Sequence, residues 1–350
     1  MSHTLVLPIG NQSSYFPNMK PKWMLTHPNG YWMLLESLTG LPLDQFDEIV
    51  IIGLTSYIDQ NYVSEGIREQ FKLKGWHKPV KIIAISASDN QPQTIYNGLK
   101  QANITGAIFI KDCDNCFHIA NIPKDNCVTY IDLNKHDSIY ASEKSYIQQD
   151  DQGIINNIVE KYVISNTFCC GGYGFDSVDT FYQLYEAVSS ISQIDSKQLY
   201  LSHLISYGLL NKTFIGIQAD NFVDWGCLKL WREYVSQYKT LFVDVDGILL
   251  ENTGRFSEPT WGTGNGIQPN IDLINTLYKN GKHQIILTTA RVDIDQLVSE
   301  LNLHGVCYHR IVNNLWHCQR IIINDFADTN PYPSCDSISI PRNSNLGDYL

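Results

Sequence analysis

An apolar run that ends in two acidic residues constrains the fold more than any other feature of this sequence. Residues 241–247 are Leu-Phe-Val-Asp-Val-Asp-Gly. Such a run predicts a strand, and side chains two positions apart lie on the same face of a strand. Functional groups of parallel sheets gather at the carboxyl ends of the strands. We therefore expect Asp244 and Asp246 to point into a crevice, where paired carboxylates can hold a magnesium ion and attack phosphorus.

Two further apolar runs downstream also end in residues suited to phosphate chemistry. They are residues 283–287, followed by Thr-Thr-Ala-Arg, and residues 320–323, followed by Asn-Asp. Amphipathic stretches over residues 271–279 and 294–303 have the spacing of helices. Strands that alternate with helices predict a parallel sheet, with both runs as strands.

The order of these motifs, from about residue 240 onward, resembles the haloacid dehalogenase (HAD) superfamily of phosphohydrolases. The resemblance implies that Asp244 is the nucleophile and that Asp246 is the general acid and base. It implies that Thr289 holds the phosphoryl group. Asp325 would complete a Mg²⁺ site with Asp244 and Asp246. These residue types suit the chemistry, because a carboxylate can form an aspartyl-phosphate and a second one can protonate the leaving oxygen.

One residue of the HAD pattern is missing, because the family lysine before the last motif has no counterpart after Lys282. Arg310 or Arg320 can supply the positive charge, although a guanidinium is a planar fork rather than a point charge. We count Arg291 and Arg320 among the predicted substrate-binding residues. The inserts between the motifs are short, which predicts a capless domain. Its site is expected to be open unless the N-terminal domain or a second subunit covers it.

Length and composition suit two domains with cores of their own, since the chain has 350 residues and 43% of them are hydrophobic. The net charge of −11 argues against a nucleic-acid partner. No apolar run approaches the length of a membrane span, and the start lacks a secretion signal. Nine scattered cysteines do not form a secreted disulfide framework. We expect a cytoplasmic protein without a membrane partner, and self-association is left open.

The first two thirds of the chain contain four more apolar runs that predict buried strands. They are residues 4–7, 48–52, 80–85 and 107–110, and helical stretches over residues 31–41, 62–73 and 93–102 separate them. This alternation predicts a second α/β domain. We therefore predict two doubly wound, Rossmann-like domains, over residues 1–238 and 239–350.

Five short motifs between about residues 4 and 235 resemble the sugar-phosphate nucleotidyltransferases. They are Gly-Asn-Gln-Ser-Ser-Tyr-Phe at 10–16, Lys-Pro-Lys-Trp-Met-Leu at 20–25, Lys-Asp-Cys-Asp-Asn-Cys-Phe at 111–117, Glu-Lys at 160–161 and Asp-Trp-Gly at 224–226. That family joins a sugar 1-phosphate to a nucleotide and releases pyrophosphate. The resemblance implies a nucleotidyltransferase-like domain that takes a phosphorylated sugar or polyol and a nucleoside triphosphate or nucleotide sugar.

The resemblance assigns the nucleotide phosphates to the first two motifs. Backbone N–H groups in the loop that contains Gly10, Ser13 and Ser14 can approach a triphosphate closely. Lys22 would neutralise the charge that develops on the phosphates, and it is therefore a candidate catalytic residue as well as a binding residue.

The later motifs are assigned to the metal and the sugar. The resemblance implies that Asp114 and Asp224 share a Mg²⁺ ion that orients the sugar phosphate for in-line attack. It also implies that Lys161 grips the sugar phosphate and that Glu160 binds the sugar hydroxyls.

Two substitutions separate the nucleotide loop from the family pattern. Tyr15 stands where members carry an arginine, and Asn11 stands where they carry a glycine. A phenol does not balance a triphosphate, and a Cβ obstructs close backbone approach. Either Lys20 substitutes for the arginine, or the domain binds without transferring.

Three hypotheses about function follow. The combined architecture looks like bifunctional proteins of bacterial capsule biosynthesis, in which a phosphatase and a nucleotidyltransferase make an activated sugar or polyol. In the second hypothesis the phosphatase is active and the N-terminal domain only binds a nucleotide or sugar nucleotide. In the third the chain is a non-catalytic scaffold.

Overall fold

The computed structural model describes residues 2–10, 20–59, 62–135, 141–191, 199–252, 265–324 and 335–350. The chain divides into two compact units, unit 1 (Met1–Trp231) and unit 2 (Arg232–Leu350). Each unit has a hydrophobic core of its own.

The described part of unit 1 is built on strands that alternate with helices. The strands are β1 (His3–Ile9), β2 (Glu48–Leu54), β3 (Val80–Ile85), β4 (Ala107–Lys111), β5 (Asn115–His118), β6 (Cys127–Asp132), β7 (Tyr146–Gln149), β8 (Ile155–Val159), β9 (Thr167–Phe175), β10 (Ile215–Gln218) and β11 (Asp220–Asp224). The helices are α1 (Met33–Glu36), α2 (Thr55–Ile58), α3 (Val63–Leu73), α4 (Gln91–Ala102), α5 (Val178–Ser189), α6 (Leu201–Gly208) and α7 (Leu228–Ser236), which continues into unit 2. The four strands predicted from apolar runs are present as β1 to β4. Burial is confirmed for β1, β2 and β4, whereas most of β3 is only half-buried.

The main sheet has the order β10-β6-β9-β4-β1-β2-β3, and β7 and β8 pair beside β9. The pairs among β1, β2, β3 and β4 are parallel, whereas β9 is antiparallel to both β4 and β6. The pair formed by β6 and β10 is parallel as well. The sheet is therefore mixed, and the all-parallel arrangement expected from the alternating pattern is broken at β9. The strand order reverses at β1, which lies between β2 and β4.

Alternate residues of the central strands pack into two separate hydrophobic clusters, one on each face of the sheet. In β1, Leu5 and Leu7 pack with residues of α1 and α3, whereas Val6 packs with residues of α4, α5 and α6. Side chains of a strand alternate between its faces, so helices cover both faces of this sheet. Leu5 and Leu7 are wholly buried, and each contributes about 2 kcal/mol to folding through burial.

The helix predicted over residues 31–41 is shorter in the structure, where only α1 is helical. After Glu36 the chain forms three-residue turns, with the N–H groups of Leu38 and Thr39 donating to the carbonyls of Leu35 and Glu36. The Ser37 hydroxyl donates to the Leu34 carbonyl at 2.7 Å. A hydroxyl that bonds to nearby backbone competes with helix continuation.

The described part of unit 2 is a parallel sheet with helical crossovers. Its strands are β12 (Lys239–Asp244), β13 (His283–Thr288) and β14 (Arg310–Val312), and its helices are α8 (Gln268–Lys279) and α9 (Ile294–Leu303). The strand order is β12-β13-β14. Apolar residues of the strands and helices, among them Val243, Ile271, Leu287 and Leu297, form one buried cluster.

Two expectations for unit 2 differ from the structure. Residues 320–323 do not form a strand: they have no regular structure, and Ile321, Ile322 and Ile323 are exposed. A strand needs backbone partners, and none of the ladders in the described part of the chain includes these residues. The third strand is β14 instead. Because the order is sequential, the described sheet also lacks the reversal of a doubly wound fold.

All nine cysteines are free thiols, and they differ widely in exposure. Cys127 and Cys170 are buried, and burial raises the pKa of each to about 12. Cys318 and Cys335 are exposed. Within the described residues, no helix combines the length and apolar character needed to cross a bilayer.

Candidate active sites

The first candidate site lies where the strand order of unit 1 reverses. In open α/β sheets such a reversal opens a crevice beyond the carboxyl ends of the strands. Gly10 follows the end of β1, and Asp112 follows the end of β4. The topology therefore brings the first and third predicted motifs to the same edge of the sheet.

Gly10 is required for close packing at this edge. A Cβ on Gly10 would lie 2.7 Å from the hydroxyl of Thr94 in α4, which is too close for any side chain. The loop after it, with Asn11, Ser13, Ser14 and Tyr15, lies outside the described residues. The predicted roles of these loop residues stay predictions.

Asp114 and Asp224 lie side by side, although they are far apart in the sequence. The antiparallel pairing of β5 with β11 places Asp224 opposite Asn115, and the Trp225 N–H donates to the Asp114 carbonyl at 2.9 Å. Next to them, Gly226 leaves open the space that a side chain would fill. A Cβ there would lie 3.0 Å from Asp224 Oδ1 and 3.7 Å from Asp114 Oδ2.

A lysine pairs with each of these carboxylates. Lys22 Nζ lies 3.7 Å from Asp114 Oδ2 and also donates to the Gly226 carbonyl. Lys144 Nζ lies 2.5 Å from Asp224 Oδ2. The other oxygen of Asp224, Oδ1, accepts the Gly226 N–H at 2.8 Å. The structure therefore brings Lys22, Asp114 and Asp224 together, as the sequence motifs predict, and adds Lys144.

A buried lysine supports the loop that carries Asp114. Lys111 is fully buried, and its Nζ donates to the carbonyls of Asp112 (2.6 Å) and Asn115 (2.9 Å) and to Asn115 Oδ1 (2.7 Å). Burial lowers the pKa of this ammonium. Burial, with the nearby Asp114 carboxylate, raises the pKa of Asp112 to about 6. Gln91 Nε2 donates to Asp112 Oδ1 at 2.5 Å.

Glu160 and Lys161 point toward different partners. Glu160 Oε2 accepts hydrogen bonds from the hydroxyls of Ser145 and Ser202, the latter at 2.5 Å. Lys161 Nζ donates to the Tyr200 hydroxyl at 2.9 Å and lies 3.9 Å from Glu143 Oε2. Lys161 itself has a φ of +54°, in the left-handed region that few residues other than glycine adopt. Glu160 is thus held in a hydroxyl-rich setting, and Lys161 lies in an exposed one.

The second candidate site lies at the carboxyl ends of β12 and β13. The register pairs Asp244 with Thr288, so the two predicted motifs begin at the same level of the sheet. Arg320 Nη1 donates to Asp244 Oδ1 at 3.0 Å and to the Thr288 hydroxyl at 3.1 Å. Burial raises the pKa of Asp244, and Arg320 opposes that rise. Of the two arginines considered from the sequence, Arg320 therefore contacts the predicted nucleophile.

Asp246 is clamped by Arg291. The Arg291 Nε and Nη2 atoms donate to Asp246 at 3.1 and 2.6 Å, and the Thr289 hydroxyl donates to Asp246 Oδ2 at 3.2 Å. Arg291 Nη1 also donates to Glu300 Oε2 at 2.6 Å. A bidentate guanidinium fixes both the position and the orientation of a carboxylate. Both oxygens of Asp246 are therefore engaged by protein groups.

Sequence reasoning missed two residues of these sites. Lys144 lies in a short polar segment without a motif, and Glu300 lies on α9 at a position that matches any solvated helix face. Asp325 lies outside the described residues. Across the described ranges, no cluster of three or more His, Cys, Asp or Glu side chains forms a metal site.

Comparisons with known proteins identify the fold of the larger unit. A nucleoside-diphosphate-sugar pyrophosphorylase from Vibrio cholerae is 15% identical, with a TM-score of 0.55 over 66% of this chain and 98% of that one. An inositol-1-phosphate CTP transferase from T. maritima is 12% identical, with a TM-score of 0.52 over 66% and 91%. A UDP-glucose pyrophosphorylase complexed with UDP-glucose is 13% identical, with a TM-score of 0.51 over 67% and 97%.

These similarities concern two thirds of the chain, and the N-terminal unit has the nucleotidyltransferase fold predicted for it. At such low identities they establish the fold alone. No protein-family model matches the sequence, and no curated protein matches it.

Proposed function

We propose that the chain is a bifunctional enzyme of nucleotide-activated sugar or polyol synthesis, with a nucleotidyltransferase in unit 1 and a HAD-type phosphatase in unit 2. The observation that carries the first activity is the convergence of Asp114, Asp224 and Lys22 at the strand reversal. An activated sugar or polyol of this kind suits the assembly of a surface polysaccharide such as a capsule. We keep residues 1–238 and 239–350 as the two functional domains.

Unit 1 fits a Mg²⁺ ion through Asp114 and Asp224. The two carboxylates come from separate elements and flank the space that Gly226 leaves open. Mg²⁺ accepts one or two carboxylates together with phosphate oxygens and waters. When bound, it would offset negative charge on the phosphates and orient them.

The residues of unit 1 then carry the transfer. An oxygen of the sugar or polyol phosphate attacks the α-phosphorus of the nucleoside triphosphate, the bond to the β-phosphate oxygen breaks, and pyrophosphate leaves. Lys22 neutralises charge on the phosphates, and backbone N–H groups after Gly10 hold them. Glu160 accepts hydrogen bonds from sugar hydroxyls, as it does from Ser145 and Ser202 in the structure. Lys161 holds the sugar phosphate.

The contacts of Asp244 support the phosphatase. Asp244 attacks the phosphorus of a small phosphoester and forms an aspartyl-phosphate as the bond from phosphorus to the leaving oxygen breaks. Asp246, after one of its contacts with Arg291 or Thr289 opens, protonates that oxygen and then activates the water that releases phosphate. Thr289 and Arg320 hold the phosphoryl oxygens. Mg²⁺ would bind Asp244 and Asp325. Asp246 does not fit as a third ligand, because Arg291 and Thr289 engage both of its oxygens.

Pyrophosphate release tests unit 1. The full chain, incubated with Mg²⁺, a panel of nucleoside triphosphates and phosphorylated sugars or polyols, should release pyrophosphate, and Lys22→Ala should lower the rate by about a hundredfold or more. Lys72→Ala serves as the matched control, because Lys72 is exposed on α3 and pairs with Glu69 in its own helix. If calorimetry shows nucleotide binding but no pyrophosphate appears, unit 1 is a binding module.

Phosphate release tests unit 2. Asp244→Asn should abolish Mg²⁺-dependent phosphate release, because an amide does not attack phosphorus. Thr289→Ala should be milder, since it removes one hydrogen bond to the phosphoryl group. Asp272→Asn, an exposed substitution on α8, is the control. Turnover near the wild-type rate in Asp244→Asn would overturn the phosphatase assignment.

A further inference from the structure

Three consecutive residues contact three of the predicted site residues of unit 1. Glu143 Oε2 lies 3.9 Å from Lys161 Nζ, and Lys144 Nζ lies 2.5 Å from Asp224 Oδ2. The Ser145 hydroxyl donates to Glu160 Oε2. This segment, residues 143–145, leads into β7. It therefore links the predicted sugar-binding pair to the predicted metal-binding carboxylates.

The Lys144–Asp224 pair is more shielded than the other ion pair of the site. The side chains of Lys144 and Asp224 are 17% and 7% exposed, and their charged atoms are 2.5 Å apart. Lys22 and Asp114 are 19% and 32% exposed at 3.7 Å. The Lys144 ammonium also lies 5.5 Å from the Phe222 ring centre. Attraction between opposite charges grows as water is excluded, so Asp224 is the more firmly held carboxylate.

Both oxygens of Asp224 are engaged in this arrangement. Oδ1 accepts the Gly226 N–H, and Oδ2 faces Lys144. Each oxygen keeps a second lone pair, but a divalent cation that binds Asp224 would be repelled by the Lys144 ammonium beside it. The Gly226 N–H is fixed by the backbone, whereas a lysine side chain is flexible along its four-carbon stem. Lys144 is therefore the group that yields.

We propose that Lys144 is a resident counter-ion that competes with the divalent cation for Asp224 and moves to the substrate phosphates when the cation binds. The proposal rests on the proposed nucleotidyl transfer in unit 1. It makes Lys144 a positioning residue: before substrates arrive it neutralises Asp224, and afterwards its three N–H donors are available to phosphate oxygens. Lys144 thereby couples cation binding to substrate binding.

Mn²⁺ binding to the full chain without nucleotide tests the competition directly. The titration is followed by the electron paramagnetic resonance of free Mn²⁺. The Kd for Mn²⁺ should be roughly tenfold lower, or more, in Lys144→Met than in the wild type, because the competing charge is gone. Lys144→Arg, whose fork can hold both carboxylate oxygens, should weaken Mn²⁺ binding. Lys72→Met removes an exposed lysine of α3, outside the site, and should leave the affinity unchanged.

The second part of the proposal has its own measurement. At saturating Mn²⁺, Lys144→Met should bind a non-hydrolysable nucleoside triphosphate analogue or a sugar phosphate roughly tenfold more weakly than the wild type. Thermal unfolding of each variant checks its fold, and Asp224→Asn in both backgrounds should abolish the gain in Mn²⁺ affinity. Unchanged or weaker Mn²⁺ binding in folded Lys144→Met overturns the inference. If Mn²⁺ tightens as expected but the wild type releases no pyrophosphate, the proposed transfer fails and the competition stands.

Discussion

At the scale of single residues, both units contain a buried cation that is paired or hydrogen-bonded to residues of its candidate site. Lys111 is buried under the loop of Asp114, and Arg291 is buried between Asp246 and Glu300. Burying such charges is costly unless each one is paired or hydrogen-bonded. Each of these cations meets that condition through several acceptors. Its removal should therefore lower the free energy of unfolding, because those acceptors lose their buried donor.

Lys111→Met should destabilise unit 1 by about 3 kcal/mol, because it leaves the carbonyls of Asp112 and Asn115 without their buried donor. Urea unfolding measures the change in the free energy of unfolding. Lys81→Met is the control, since Lys81 lies on β3 with an exposed ammonium paired to Glu48, and its loss should cost about 1 kcal/mol or less. Equal effects of the two substitutions would contradict the structural role of Lys111.

His3 should make stability depend on pH. Burial lowers its pKa below the ordinary value of 6.5, and its Nε2 has no hydrogen-bond partner among the described residues. The unfolded chain therefore binds more protons than the folded chain as the pH falls below 6.5, and stability is lost in that direction.

The measurement compares wild type with His3→Gln in urea at pH 7.5 and pH 5.5. The wild type should have a higher free energy of unfolding than His3→Gln, because neutral His3 packs against Phe46. This difference should be larger at pH 7.5 than at pH 5.5. The other histidines titrate in both proteins and cancel from the comparison. An advantage that grows toward pH 5.5 would show that folded His3 prefers to be protonated.

At the scale of elements, α8 binds the last segment of unit 2 through the side chain of Asn270. Asn270 is wholly buried, and its Nδ2 donates to the carbonyls of Ile248 (2.7 Å) and Ser344 (2.9 Å). Its Oδ1 accepts the Leu346 N–H at 2.7 Å. One side chain thus satisfies three backbone groups from two distant segments.

Asn270→Ala should therefore destabilise unit 2 by about 2–4 kcal/mol, because buried backbone groups lose their partners. Hydrogen exchange should be faster at the Leu346 amide in this variant. Asn280→Ala, at the exposed end of the same helix, should leave that amide protected. Unchanged exchange in Asn270→Ala would mean that other contacts hold the segment.

The elements also show where sequence reasoning works. Apolar runs predict β1, β2 and β4 correctly, because a strand buried on both faces needs apolar residues at nearly every position. The run at β3 also forms a strand, although most of it is only half-buried and Lys81 is exposed. The apolar run at residues 320–323 wrongly predicts a strand. A strand also needs a neighbouring strand to pair with, and the sequence of the run does not reveal whether such a neighbour exists. Lys144 was missed for a related reason: its partner Asp224 lies on an element that only the folded chain brings near.

At the scale of the whole molecule, each unit has its own core and its own candidate site. The core of unit 1 follows the two faces of the large sheet, and that of unit 2 joins β12 and β13 to α8 and α9. The predicted residues of each site come from one unit alone. The two proposed activities should therefore be separable by substitution.

Asp244→Asn should abolish phosphate release and leave pyrophosphate release within about twofold of the wild type, and Lys22→Ala should do the reverse. Both activities are measured on the same preparations, with thermal unfolding to check the fold. Loss of both activities in either variant would show that the two sites depend on each other.

The exposed Cys318 is a position at which a fluorophore can be attached next to the second site. Thiol reagents attack the thiolate, so buried thiols such as Cys127 and Cys170, with pKa values raised to about 12, react slowly. Cys318 stands two positions before Arg320, whose guanidinium contacts Asp244. With the partly exposed Cys227 and Cys307 and the exposed Cys335 replaced by serine, a fluorophore on Cys318 would report in real time when an anion draws Arg320 away from that carboxylate.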